Sequence, residues 1–387
     1  VRRAADAPGE ALAAALAERR ILVVCGAGGV GKTTTAAALA LRAALEGRRV
    51  LVCTIDPSRR LATSLGLSRL SERPRALRLE RLRRTAKGEL WAMMLDPKRT
   101  FDELVERYTE SDAARQRILQ NRFYRQVSSA LAGSHEYMAM EKLLDLHEDD
   151  RFDLVVLDTP PTRHALDFLE APDRLLGFLD TGVLRYFLKP YFVAGRLTLR
   201  IATRTGALAL KLADSVLGLR FLQELSEFFL AFEGMYDGFK ERAGRVQALL
   251  RDEAGFLLVA SPARAALDEA RYFRERLRQK RMPLVACVVN RVHPDPRSAP
   301  PGPGPGARLS PDLAERLLTV FREQEALARA DRRRIRQLEA DAGAAVLSVP
   351  ELESDVHDLR GLAQVADALG TPARAGVRAA GGVSARS

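Results

Sequence analysis

Gly26-Ala27-Gly28-Gly29-Val30-Gly31-Lys32-Thr33, followed by Thr34, satisfies the pattern GxxxxGK(S/T) in full. Glycines at this spacing let successive backbone N–H groups curl around phosphate oxygens, and a helix beginning at the loop's end adds partial positive charge. Lys32 is expected to reach the β- and γ-phosphates of a nucleotide, and the Thr33 hydroxyl to ligate Mg²⁺. Two acids complete the chemistry. Asp56, in Thr54-Ile55-Asp56-Pro57-Ser58-Arg59-Arg60, stands where a carboxylate can orient or deprotonate an attacking water. It reads equally as a turn residue before Pro57. Asp158 ends the apolar run Leu154-Val155-Val156-Leu157-Asp158 and is expected to hold the magnesium shell through a water.

Those residues need strands and helices to hold them. The loop follows the apolar run Ile21–Cys25 and leads into the helical run Thr34–Leu45, while Asp56 follows Val50–Thr54. Further runs at Leu90–Leu95, Leu154–Asp158, Phe256–Ala260, Leu284–Asn290 and Ala345–Val349 recur between helical stretches. They lack clean alternation, as strands buried on both faces do. The expected fold class is α/β, a doubly wound, mostly parallel sheet with helical insertions. The insertions fall at about 97–149 and 162–250 within one nucleotide-binding domain of residues 21–370. A helical segment of residues 1–20 precedes it, and an Ala/Gly/Arg tail of 371–387, expected to be disordered, follows. Arg75–Lys87 and Arg271–Arg281 read as charged helices. The second insertion gathers aromatics from Tyr186 to Tyr236, which serve either as its own core or as a surface for an apolar partner. After a Pro/Gly-rich loop, His293–Arg308, the triplet Ser310-Pro311-Asp312 reads as a helix start. It offers a cap, a first-turn proline and an acid favoured by the dipole.

The formal net charge of +11 over 387 residues is mostly arginine interleaved with acids. That pattern favours solvated helix faces over a nucleic-acid surface. No uncharged run approaches the roughly twenty residues that cross a bilayer. Residues 1–20 lack the apolar centre of a signal peptide, so the cytoplasm is the expected location. Cys25, Cys53 and Cys287 sit singly inside apolar runs and are expected to be core residues. With no CxxC pair, neither a zinc clasp nor a cluster site is indicated. His135, Glu136, Met138 and Met140 match no metal spacing and read as packing or switch contacts.

Together these segments resemble the ArsA-type ATPases, the anion-transporting and tail-anchored-protein-targeting branch of the ParA/MinD-like P-loop class. Gly28–Thr34 resembles that family's GGVGKTT loop, and Asp56-Pro57 its switch I pair. Asp158-Thr159-Pro160-Pro161-Thr162-Arg163-His164-Ala165-Leu166 is similar to its switch II signature, in which His164 reads as a hydrogen-bonded switch residue. Val288-Val289-Asn290 resembles the strand whose asparagine reads adenine, and Val349-Pro350 the segment beside the base. The resemblance covers about residues 20–368. It implies an ATPase that takes ATP and Mg²⁺ and whose two subunits close on nucleotide, either as a homodimer or with a paralogous ATPase. Three departures stand out. Ala27 occupies the place of the signature lysine that reaches into the partner's site, and Arg59 and Arg60 are the nearest basic residues that could replace its charge. They read equally as surface arginines. The metalloid-binding cysteines and the dimer-clasping CxxC have no counterpart, which argues against arsenite as ligand.

Two functions fit this reading. One is nucleotide-gated handling of an apolar client protein through the second insertion. The alternative is a MinD/ParA-like positioning ATPase at a membrane or polymer surface, which the basic balance favours and which leaves transient membrane association open. The tail, however, lacks the Leu/Phe stripe of an amphipathic anchor.

Overall fold

The computed structural model describes residues 8–56, 58–82, 86–109, 111–121, 124, 134–160, 236–298 and 310–370. Pro57, the switch II positions Pro161 to Leu166, the aromatics from Tyr186 to Phe232, the loop 299–309 and the tail 371–387 lie outside them.

Eight strands form one sheet: β1 (Ile21–Gly26), β2 (Arg49–Thr54), β3 (Arg75–Ala76), β4 (Glu89–Met94), β5 (Leu154–Asp158), β6 (Ala254–Ala260), β7 (Leu284–Val292) and β8 (Ala345–Pro350). Their spatial order is β3-β4-β2-β5-β1-β6-β7-β8. All neighbours run parallel except β3 and β4. Every residue of β1, β5 and β6 is buried, which is why their sequences are continuously apolar rather than alternating. In register, Val24 of β1 and Thr54 of β2 both face Asp158 of β5. The carboxyl ends of three central strands therefore meet at one edge.

Helix α1 (Pro8–Glu18) precedes the sheet, and α2 (Lys32–Leu45) follows β1. Alanines 36–38, 40, 43 and 44 of α2 are buried, with Leu39 and Leu41 between them. Small side chains on all sides let this helix lie close to the sheet at no cost in helix propensity. A short α3 (Arg60–Ser64) follows β2.

Arg75–Lys87 departs from the expected helix. Arg75–Ala76 is a two-residue edge strand, paired antiparallel with Trp91 and Ala92, and Leu79–Leu82 is a single 3₁₀ turn. Pro74 lacks an N–H and biases the chain toward extended geometry. Leu77 N–H then donates to the Leu90 carbonyl at 2.8 Å. Leu77, Leu79 and Leu82 pack toward the core at a spacing that does not match a helix.

The helices α4 (Pro97–Tyr108), α5 (Asp112–Gln120), α6 (Ser134–Glu148) and α7 (Tyr236–Ala248) belong to a second compact unit. Met138 and Met140 are buried in α6. A buried ion network fastens α7 to α6. Arg242 Nε donates to Glu141 Oε2 at 2.6 Å, and its other nitrogen donates to Asp145 at 2.8 Å. The Tyr137 hydroxyl takes the other Glu141 oxygen. Arg107 of α4 also reaches Asp145, at 2.9 Å.

Three helices complete the first unit: α8 (Arg264–Gln279), α9 (Pro311–Ala342) and α10 (Leu359–Gly370). Ser310 caps α9, its hydroxyl accepting from Leu313 N–H at 3.3 Å, with Pro311 in the first turn. The three cysteines are buried and unpaired, and burial pushes the Cys25 thiol up to about 12 and the Cys287 thiol to about 11. No described helix is long and apolar enough to cross a membrane.

Candidate functional site

The phosphate-binding loop lies between the end of β1 and the start of α2, and its backbone is held in conformations only glycine takes easily. Gly26 has φ 151° and lies so close to β6 that a Cβ would sit 2.0 Å from the Val259 carbonyl oxygen. Gly31, at φ 94°, caps α2, and a Cβ there would come within 2.2 Å of the Asn290 amide nitrogen. The backbone contact leaves no room for a side chain at Gly26, and the positive φ favours glycine at Gly31.

Lys32 is only 7% exposed, and its ammonium donates back to the Ala27 carbonyl at 2.8 Å, folding over the loop. Burial lowers the Lys32 pKa, and the Asp158 carboxylate works against that shift. The Ala27 methyl is itself buried in the core.

Asp158 is the focus of the site. Its Oδ2 accepts from the Thr33 hydroxyl at 2.8 Å and the Thr54 hydroxyl at 3.0 Å. These donors come from either side because β5 lies between β1 and β2. Asp158 is 1% exposed, yet its other oxygen, Oδ1, has no partner. Burial pushes its carboxyl up to about 6, while both hydroxyls and the Lys32 ammonium pull it back. Thr159, next in the chain, donates to the Val24 carbonyl at 2.9 Å and ties β5 to β1.

A buried carboxylate with a bare oxygen, beside a threonine hydroxyl, offers an all-oxygen donor set that suits a hard divalent cation such as Mg²⁺. Among the described residues no cluster of His, Cys, Asp and Glu could hold a metal alone.

Asp56 is half-buried. Its Oδ1 accepts from Ser58 N–H at 2.9 Å, and its own N–H donates to the Thr54 hydroxyl at 3.2 Å. The carboxylate thus caps its own turn, while its charge still acts on both Lys32 and Asp158.

A cleft of about 1040 Å³ runs from Lys32, Thr33 and Thr34 to Asn290 and Pro350. Asn290 donates its amide to the Val30 carbonyl at 2.9 Å, so β7 braces the loop directly. Arg59 and Arg60 line the cleft and are exposed, with the Arg60 charge acting on Lys32. The structure adds Arg291, which sequence reasoning passed over. With left-handed backbone at φ 59°, it extends toward the Gly29 carbonyl at 3.4 Å. An arginine at the end of a strand carries no signal of that placement, which depends on β7 lying beside the loop.

A mostly parallel sheet carrying this loop at the carboxyl end of a central strand defines a P-loop α/β protein of the nucleotide-binding class. The family model for the anion-transporting ATPases, ArsA_ATPase, matches residues 19–301. The chain belongs to that family. It is 35% identical to a putative arsenical pump-driving ATPase of Halobacterium salinarum, over 46% of this chain and 28% of the relative. It is 30% identical to the ATPase GET3 of Malassezia globosa, over 40% of this chain and 43% of the relative. It is 27% identical to the ATPase GET3C of Arabidopsis thaliana, over 73% of this chain and 69% of the relative. The chain spans less than half the length of the first two.

Proposed function

We propose that this chain hydrolyses MgATP and uses its nucleotide state to switch conformation, and that the switch serves to handle an apolar client or partner protein. The observation that carries the ATPase reading is the incomplete Asp158 carboxylate, buried behind the loop with Thr33 and Thr54 on one oxygen and nothing on the other. In this reading the N–H groups of Gly28 to Thr34 cradle the phosphates, and Lys32 leaves the Ala27 carbonyl to meet the β- and γ-phosphates. Thr33 and Asp158, the latter through a water, would hold Mg²⁺, which would supply positive charge for the phosphate oxygens. Asp56 orients the attacking water once its cap to Ser58 loosens. Asn290 and Pro350 flank the adenine.

Family membership supports an ATPase that works as a pair of subunits, identical or paralogous. The client reading rests on the aromatics between Tyr186 and Tyr236 and on that same membership. Purified Lys32→Ala protein tests the hydrolysis: turnover is expected to vanish and ATP binding to weaken, and undiminished turnover removes the proposed site.

A further inference from the structure

Helix α9 divides into two unlike halves. Its second half packs on the fold, burying Ala328, Asp331, Ile335 and Leu338. From Pro311 to Gln324, by contrast, every residue except Ala314 is exposed. That stretch is not polar. Leu313, Leu317, Leu318, Val320 and Phe321 stand 39–54% exposed, and among the described residues nearly all the exposed large apolar side chains lie on this helix. Leu313, Leu317, Val320, Gln324 and Leu327 follow one another at intervals of four and three, the seam of a coiled coil, with Leu318 to one side. About four helical turns standing alone are marginal in water, so this seam calls for a partner.

We infer that the projecting half of α9 pairs antiparallel with the same segment of a second copy of this chain. Charge complementarity selects this occupant. When Leu317 of one copy faces Val320 of the other, Leu313 faces Gln324, and the reciprocal layers repeat across a two-fold axis. Between those layers, one flank brings Arg316 against Glu323 and the other sets Phe321 over Ala314. A parallel pair would instead set Arg316 beside Phe321 and Glu323 beside Ala328, with no charges matched. Within one chain Arg316 lies 3.2 Å from Asp312, an exposed pair that exchanges at little cost. Within Pro311–Gln324, Asp312, Glu315 and Glu323 outnumber Arg316 and Arg322 by one, so the segment is slightly acidic within a basic protein. That balance disfavours an anionic lipid surface or nucleic acid. A seam of about four helical turns is short, so the pairing is weak, with Kd on the order of micromolar. Unlike the nucleotide-driven closure proposed above, it needs no nucleotide.

The test is sedimentation of the full nucleotide-free chain from about 1 to 100 µM, a range chosen to bracket that affinity. Wild type is expected to dimerise. Leu317→Glu should weaken pairing at least about tenfold, because each copy loses a buried leucine, and its basal ATPase rate should not change. Arg316→Glu and Glu323→Arg should each weaken pairing, and the double variant should restore it, as only the antiparallel register requires. Lys32→Ala should pair as wild type does, which separates this interface from the nucleotide site. A wild-type monomer throughout the range overturns the inference, as does an unrestored double swap. Binding of wild type, but not Leu317→Glu, to acidic vesicles in place of self-association overturns it in favour of a lipid surface.

Discussion

Two buried carboxylates, one in each unit, show how differently a charge can be kept from water. Glu141 has both oxygens satisfied, by the Tyr137 hydroxyl and the Arg242 guanidinium, and Arg242 is satisfied in turn by Asp145. Asp158 has two hydroxyls on one oxygen and nothing on the other, and Lys32, whose charge acts on it, donates to a backbone carbonyl instead. Burial raises the pKa of both groups. The first network is closed and can only hold helices together. The second is open, and an open buried charge is tolerated where a ligand completes it.

Replacing each carboxyl by its amide should separate the two in opposite directions. Asp158→Asn is expected to lower Mg²⁺-dependent turnover by about 10³ or more, on the scale of losing a transition-state charge contact. The same change should leave the ligand-free protein as stable as wild type or more so, by about 1–3 kcal/mol. Glu141→Gln leaves Arg242 short of its charge partner. It should destabilise the second unit by about 3 kcal/mol while leaving the Mg²⁺ dependence of the remaining activity intact. Urea melts of both variants, with turnover measured against Mg²⁺, check the pair. A destabilised Asp158→Asn would show that its carboxylate is a structural group like Glu141.

Smaller effects sharpen the open site. Asp56→Asn should keep nucleotide affinity and slow turnover about 10²-fold, the scale of a positioned base. Lost affinity instead would place Asp56 in the cation's shell. Ala27→Lys probes the charge that the proposed pairing of subunits would call for. Wild type is expected to turn over slowly and faster with a partner, and Ala27→Lys to raise the rate about tenfold in a concentration-dependent way, well below the 10³–10⁵ of an arginine finger. Arg59→Ala and Arg291→Ala, measured beside it, report whether either arginine already supplies that charge. Fast, concentration-independent turnover unaffected by all three changes would mean no such charge is needed.

The sheet was legible in the sequence because its strands are buried on both faces and read as unbroken apolar runs such as Leu154–Asp158. The loop was legible because its pattern is local and lies between a strand and a helix. Arg75–Ala76 was not legible, since a two-residue exposed edge has no periodicity and the surrounding arginines and leucines suit a helix equally well. The Arg242–Glu141 contact joins residues 101 apart in sequence, and the brace from Asn290 to Val30 spans 260. No spacing rule reaches so far. Likewise the sequence marks where α9 starts, at Ser310-Pro311-Asp312, and only the packed structure separates the half that is covered from the half that is not.

The most direct test of the open carboxylate is thermal stabilisation by a non-hydrolysable ATP analogue, with and without Mg²⁺, in wild type and Asp158→Asn. At a hundredfold excess over Kd a ligand stabilises by about 2.7 kcal/mol. Wild type is expected to show a gain of that size only with Mg²⁺, and Asp158→Asn to lose the Mg²⁺-dependent part while melting no lower than wild type when free. Equal stabilisation with and without Mg²⁺, or an undiminished Mg²⁺ effect in Asp158→Asn, would contradict the account.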